Sequence, residues 1–165
     1  PYQGVLYAGL MVGPDGAPKV IEFNCRFGDP ETQAVLPLLD VDLVDLMLAS
    51  AHGDLSAFEG HPGLAPADRA AVTVVLASAG YPGDYRTGLP IALPETLPEG
   101  AMLFHAGTKR LPGGAIVTNG GRVLAATGVG ASLDAARALA YAAAEAVAFE
   151  GKHGRSDIAK RAVRV

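Results

Sequence analysis

VIEFNCRFGDPE, residues 20–31, alternates as a strand does and then breaks into a turn. In extended chain successive side chains point to opposite faces. Ile21, Phe23, Cys25 and Phe27 therefore share an apolar face, and Val20, Glu22, Asn24 and Arg26 share the other. Same-face neighbours on a strand lie about 7 Å apart, close enough for a carboxylate and an amide oxygen to share one hard cation. A guanidinium beside them can hold an anion. Gly28 permits a sharp turn, and Asp29-Pro30-Glu31 reads as N-cap, first helical residue and acidic first turn. On this pattern Cys25 points into the core and is inert. An ordinary half-buried strand shows the same alternation, so periodicity alone leaves a purely structural reading open.

Upstream, YQGVLYAGLMV (residues 2–12) is rich in strand formers, and Pro14-Asp15-Gly16 marks a turn. A hairpin pairing about 4–12 with 19–27 follows. Downstream, Ala34, Val35, Leu38 and Leu39 recur at helical spacing until Pro37 bends or interrupts the helix. A second helix over about 41–52 buries Leu43, Leu46, Met47 and Ala51, with Asp40 or Asp42 as its cap and Gly53 as its stop. Periodicity is lost between 54 and 70, where Gly, Pro, Ala and Asp accumulate. The expected boundaries are a first unit over 1–56, a linker over 57–70 and a second unit over 71–165.

In the second unit AVTVVLASA (71–79) is a near-continuous apolar run, hence a buried strand. The glycines of GYPGDYRTG (80–88) shape turns, because the lysine and helix of a phosphate-binding P-loop are absent. MLFHAG (102–107) is another strand, with His105 expected as a structural residue. Ala115–Thr118 and Arg122–Thr127 flank Asn119-Gly120-Gly121, and Asn-Gly between strand formers predicts a hairpin. Ser132 caps a final helix running to about 149, with Leu133, Ala136, Leu139, Ala140, Ala143, Val147 and Ala148 on its apolar stripe and Gly151 as its stop. The fold class is α+β: a hairpin with helices, then a small antiparallel sheet with a C-terminal helix.

The bulk properties narrow the function. A chain of 165 residues with formal charge −4 carries no nucleic-acid footprint. One cysteine excludes an internal disulfide framework. No apolar run of about 18 residues suggests a membrane span, and no signal peptide is visible. A cytoplasmic protein is the default. The chain opens on Pro1 and enters a strand at once, which suggests a fragment.

VIEFNCRFGDPETQAVLPLL, with the helix DVDLVDLMLASAHGDL after it, resembles the metal-binding strand and following helices of the glycinamide ribonucleotide synthetase family of ATP-grasp ligases. VVLASAGYPGDYRTG, FHAGTK and TNGGRVLAATGVG resemble that family's C-terminal domain. The tail GRSDIAKRAVRV departs from the family pattern at Gly154, where an aromatic is usual, and at Ala159, where glycine is usual. Arg155, Asp157 and Arg161 remain there as a surface ion-pair cluster.

The resemblance implies that Glu22 and Asn24 hold Mg²⁺ or Mn²⁺, with ATP as co-substrate. It implies that Arg26 is catalytic and substrate-binding, holding the glycine carboxylate or a phosphate. Asp29 and Glu31 are then substrate-binding, contacting the glycine amino group or steadying Arg26. The implied reaction joins glycine to 5-phosphoribosylamine, giving glycinamide ribonucleotide, ADP and phosphate. The adenine pocket and lid would belong to a missing N-terminal portion, so the chain by itself is expected to be inactive. Two alternatives stand beside this reading: a fragment of another ATP-grasp ligase or carboxylase, and a non-catalytic α+β binding module.

Overall fold

The computed structural model describes residues 2–61 and 68–160. The chain is α+β. A two-stranded antiparallel sheet, β1 (Tyr7–Val12) and β2 (Pro18–Asn24), comes first. Gly13, Asp15 and Gly16 close the turn between them, with Gly16 N–H donating to Gly13 O at 2.9 Å. The register sets Tyr7 against Asn24 and Gly9 against Glu22, and a bulge follows Gly9.

A short helix α1 (Thr32–Val35) runs into a 3₁₀ turn at Leu36–Leu38. Pro37 sits at the start of that turn, where its missing N–H costs no bond, and α1 ends at Val35, so the helix is interrupted there as expected. Helix α2 (Leu43–His52) is capped by Asp42, whose carboxylate accepts from the N–H groups of Val44 and Asp45. Gly53, at φ 74°, closes it in the left-handed conformation.

The second unit is built on a three-stranded antiparallel sheet in the order β3 (Ala70–Ala77), β7 (Arg122–Gly130), β4 (Ala101–His105). A smaller pair, β5 (Thr108–Arg110) and β6 (Ile116–Thr118), lies beside it. Strand β7 is buried from Val123 to Gly128, because both faces of the sheet are covered. On one face lies helix α3 (Leu133–Ala146), capped by Ser132 Oγ, which accepts from Ala135 N–H at 3.2 Å. Its Ala136, Ala140 and Ala143 are fully buried against Val72, Val74, Leu76, Leu124 and Ala126. The small side chains let the helix come close. A Cβ on Gly128 would fall on the backbone of Ala136 and Ala140. Register and alternation place Thr73, Phe104, Ala125 and Thr127 on the opposite face, towards α1, which lies against β3 and β7. There the Thr73 and Thr127 hydroxyls share a 2.7 Å hydrogen bond, so the buried Thr127 is satisfied.

Five expectations need correction. Asn119-Gly120-Gly121 does not close a hairpin: β6 pairs with β5, whereas β7 pairs with β3 and β4. The Asn-Gly step instead crosses between sheets, with Asn119 N–H donating to Gly107 O and Gly107 N–H to Arg122 O. Gly107 and Gly120 pack backbone to backbone there, an approach no local turn rule anticipates. Cys25 is exposed, not buried. Ile21 and Phe23 are also open, at 63% and 59% exposure, because among the described residues nothing packs on that face of the hairpin. Met47 and Ala51 of α2 face solvent, while Leu43 and Leu46 are half-buried. Asp29 does not cap α1; Glu31 holds that position with helical dihedrals and no side-chain capping bond. Finally, α3 stops at Val147, which turns extended and pairs its neighbour Ala148 with Ala92.

No helix among the described residues is long and apolar enough to cross a membrane.

Candidate functional site

Glu22 and Asn24 stand two residues apart on one face of β2, with Glu22 exposed and Asn24 half-buried. The strand holds their spacing by backbone pairing with β1. Across the hairpin from Glu22 is Gly9, whose lack of a side chain leaves the carboxylate its room. Both ligand candidates present hard oxygen, the donor type that Mg²⁺ and Mn²⁺ take. Among the described residues there is no group of three or more His, Cys, Asp or Glu arranged to hold a metal. Two protein oxygens match an ion that keeps water and phosphate in its remaining positions.

Arg26 follows on the exposed turn, and its Nη1 donates to Phe27 O at 2.8 Å. That bond fixes the guanidinium beside the strand end while leaving its exposed side towards solvent. Gly28, the buried residue of this turn, is a close-approach position: a Cβ there would lie 2.6 Å from Glu31 Oε2. Glu31 thus folds back over the turn towards β1.

Tyr7 receives it. The sequence reading missed this residue, which lies opposite Asn24 and near enough to Glu31 to feel its charge. Partial burial raises the phenol above its ordinary value, and the Glu31 and Glu22 charges push in the same direction. The signal available in sequence was the position of Tyr7 in LYAGL, one hairpin register from Asn24.

Both carboxylate oxygens and the backbone oxygen of Asp29 are engaged. Its Oδ1 accepts from Gln33 Nε2 at 3.0 Å, one helical turn on. Its Oδ2 pairs with Arg122 Nη2 at 3.1 Å, and its backbone oxygen accepts from Arg122 Nη1 at 3.0 Å. Arg122 belongs to β7, 93 residues away in sequence. Beside this joint a cleft of about 500 Å³ opens between the turn and β4, lined by Phe27, Asp29, Gln33, Phe104 and His105. Among the described residues Gln33 Oε1 is buried there with no partner. His105 Nδ1 meets Thr108 Oγ1 at 3.0 Å, and the exposed ring borders the cleft.

The structure therefore brings Glu22, Asn24, Arg26 and Glu31 to one end of the hairpin and turns Asp29 towards the second unit. In the tail, Arg155 and Asp157 form an exposed bidentate pair at 2.8 and 2.7 Å, whereas Arg161 lies outside the described residues.

Residues 71–161 match the family described as phosphoribosylglycinamide synthetase, C domain, and residues 1–32 match the same synthetase's ATP-grasp (A) domain. The chain belongs to the phosphoribosylglycinamide synthetase family. It is 50% identical over 161 residues to a phosphoribosylamine–glycine ligase of Nostoc, covering 97% of this chain and 37% of that protein. A bifunctional purine biosynthetic protein of Pichia angusta is 49% identical over 166 residues, covering 99% of this chain and 20% of that protein. The crystal structure of a Thermotoga maritima phosphoribosylamine–glycine ligase superposes with a TM-score of 0.76 at 41% identity, covering 92% of this chain and 36% of that one. The chain thus spans between a fifth and two fifths of the length of these relatives.

Proposed function

We propose that this chain works as the C-terminal portion of a phosphoribosylamine–glycine ligase of purine biosynthesis. Residues 1–56 complete the ATP-grasp domain, 57–70 link it onward, and 71–165 form the C-terminal domain. Family matches on either side of that linker support this division. The observation that carries the reading is the pair Glu22 and Asn24 on one face of β2, with Arg26 on the turn that follows and Gly9 opposite Glu22 to give it room.

ATP transfers its terminal phosphoryl group to the glycine carboxylate, forming an acyl phosphate and releasing ADP. The amine of 5-phosphoribosylamine then attacks that carbonyl, and phosphate leaves with the bonding pair. Glu22 and Asn24 would hold Mg²⁺ or Mn²⁺, which neutralises triphosphate charge when bound. Arg26 holds the glycine carboxylate or the transferring phosphoryl group by charge-assisted bonds. Glu31, with Asp29 behind it, faces the glycine ammonium, and Tyr7 orients Glu31. Water must be excluded from the acyl phosphate, a task for the N-terminal portion and its lid. The substrates are soluble metabolites, in keeping with a cytoplasmic setting.

The test is glycine-dependent ADP release from this chain joined in one polypeptide to the N-terminal portion of a curated relative. Activity requiring both glycine and 5-phosphoribosylamine supports the ligase. Activity without glycine points to another ATP-grasp reaction, and a silent but folded polypeptide to a non-catalytic module.

A further inference from the structure

Arg122 is placed where the two units meet. Its backbone is held at the head of β7, opposite Ala77, and its carbonyl accepts from Gly107 N–H at 2.8 Å. Its side chain leaves the sheet and grips Asp29 twice, at the carboxylate and at the backbone oxygen. A guanidinium that binds both a side-chain and a main-chain oxygen of one residue fixes that residue's orientation as well as its position. Asp29 in turn holds Gln33 of α1, and the turn it belongs to carries Arg26 on one side and Glu31 on the other.

We propose that Arg122 is a positioning residue for the ligase site, setting the 26–31 turn from the C-terminal domain so that Arg26 and Glu31 meet glycine. The proposal rests on the ligase reading above. The pair is about two-fifths exposed on each side, so its contribution to global stability is small. Its value lies in geometry. A misplacement of about 1 Å in a binding group can cost a hundredfold in rate.

Amide hydrogen exchange on this chain reads the tether directly. Thr32, Ala34, Val35 and Leu39 donate within the turn and α1 segment, to Gly28, Glu31 and Leu36 carbonyls. In Arg122→Met these amides should exchange about tenfold faster, while those of β3 and β7 keep the parent rates. Arg122→Lys, which retains the ion pair but not both bonds, should fall between. In the complete ligase polypeptide Arg122→Met should raise the KM for glycine about tenfold and leave the KM for ATP within twofold. Parent-like exchange in the turn overturns the tether. Faster exchange with an unchanged KM for glycine overturns the positioning role and leaves a structural link only. A complete ligase that is folded and inactive before any substitution overturns the proposed function, and this inference with it.

Discussion

Glu22 on β2 stands opposite Gly9 on β1, and a Cβ added to Gly9 would lie 3.2 Å from Glu22 Cγ. The contact is with a flexible side chain, so the fold can absorb it by a few tenths of an ångström. The carboxylate would move with it. Gly9→Ala should therefore leave the unfolding midpoint of the chain nearly unchanged. It should lower ligase turnover of the complete polypeptide by roughly tenfold, within the range expected when a reacting group is displaced. Turnover equal to the parent would show that Glu22 needs no room at that position.

Gly128 lies under α3, where a Cβ would collide with the backbone at Ala136 and Ala140. Relief requires the whole helix to lift from a sheet it covers. Gly128→Ala is expected to destabilise the chain by about 1–3 kcal/mol, the usual cost of overpacking a close contact. Urea unfolding with an unchanged m value measures it, and a parent-like midpoint would mean that the helix sits farther from β7.

Ala159 has φ 59°, in the left-handed region, where a side chain crowds the following carbonyl. Ala159→Gly should stabilise by roughly 0.5 kcal/mol, the relief of strain partly offset by greater freedom of the unfolded chain. A lower midpoint in the glycine variant would contradict this conformation.

Lys152 Nζ donates to the carbonyls of Ala144 and Val147, closing the C-terminal end of α3. Orphan carbonyls and the negative end of the helix dipole are both met by one ammonium. Lys152→Met keeps most of the stem and removes the donors, and about 1–2 kcal/mol of stability should go with them. Equal stability of the two proteins would remove Lys152 from the cap.

The Tyr7 phenol is raised above its ordinary value of 10.0 by partial burial and then by Glu31 and Glu22. A raised value means that the folded state favours the neutral phenol. Its contribution to stability is complete below the ordinary value and is lost as pH rises through the raised one. Glu31→Gln should bring the Tyr7 titration, followed by carbon-13 NMR, back towards 10.0. An unaltered titration would separate Tyr7 from Glu31.

Local chemistry made much of this fold legible. The alternation of VIEFN gave β2, Pro14-Asp15-Gly16 gave its hairpin, Asp42 and Gly53 bounded α2, and Ser132 opened α3. Each depends on residues a few positions apart. The failures depend on partners far away. Asn119-Gly120-Gly121 has hairpin chemistry, but its strands find other neighbours because Gly107 takes the place beside Gly120. Cys25 lies on an apolar face that nothing covers among the described residues, so alternation predicted the face and not the burial. Asp29 has the composition of a cap, yet it is drawn to Arg122 across 93 residues. The candidate site divides the same way. Glu22, Asn24 and Arg26 share one alternating stretch of sequence, of which β2 keeps the first two and the turn takes the third, whereas Tyr7 and Arg122 reach the site through hairpin register and a contact 93 residues away in sequence.

The most direct test of the account is ADP release with ATP, Mg²⁺, glycine and 5-phosphoribosylamine from the complete polypeptide, comparing the parent with Glu22→Gln. Loss of one carboxylate ligand should leave the fold and its unfolding midpoint intact and reduce turnover by a hundredfold or more, on the order expected for removing a metal-held charge from the reacting centre. Turnover within twofold of the parent would contradict the assignment of Glu22 and Asn24 as the metal-holding pair.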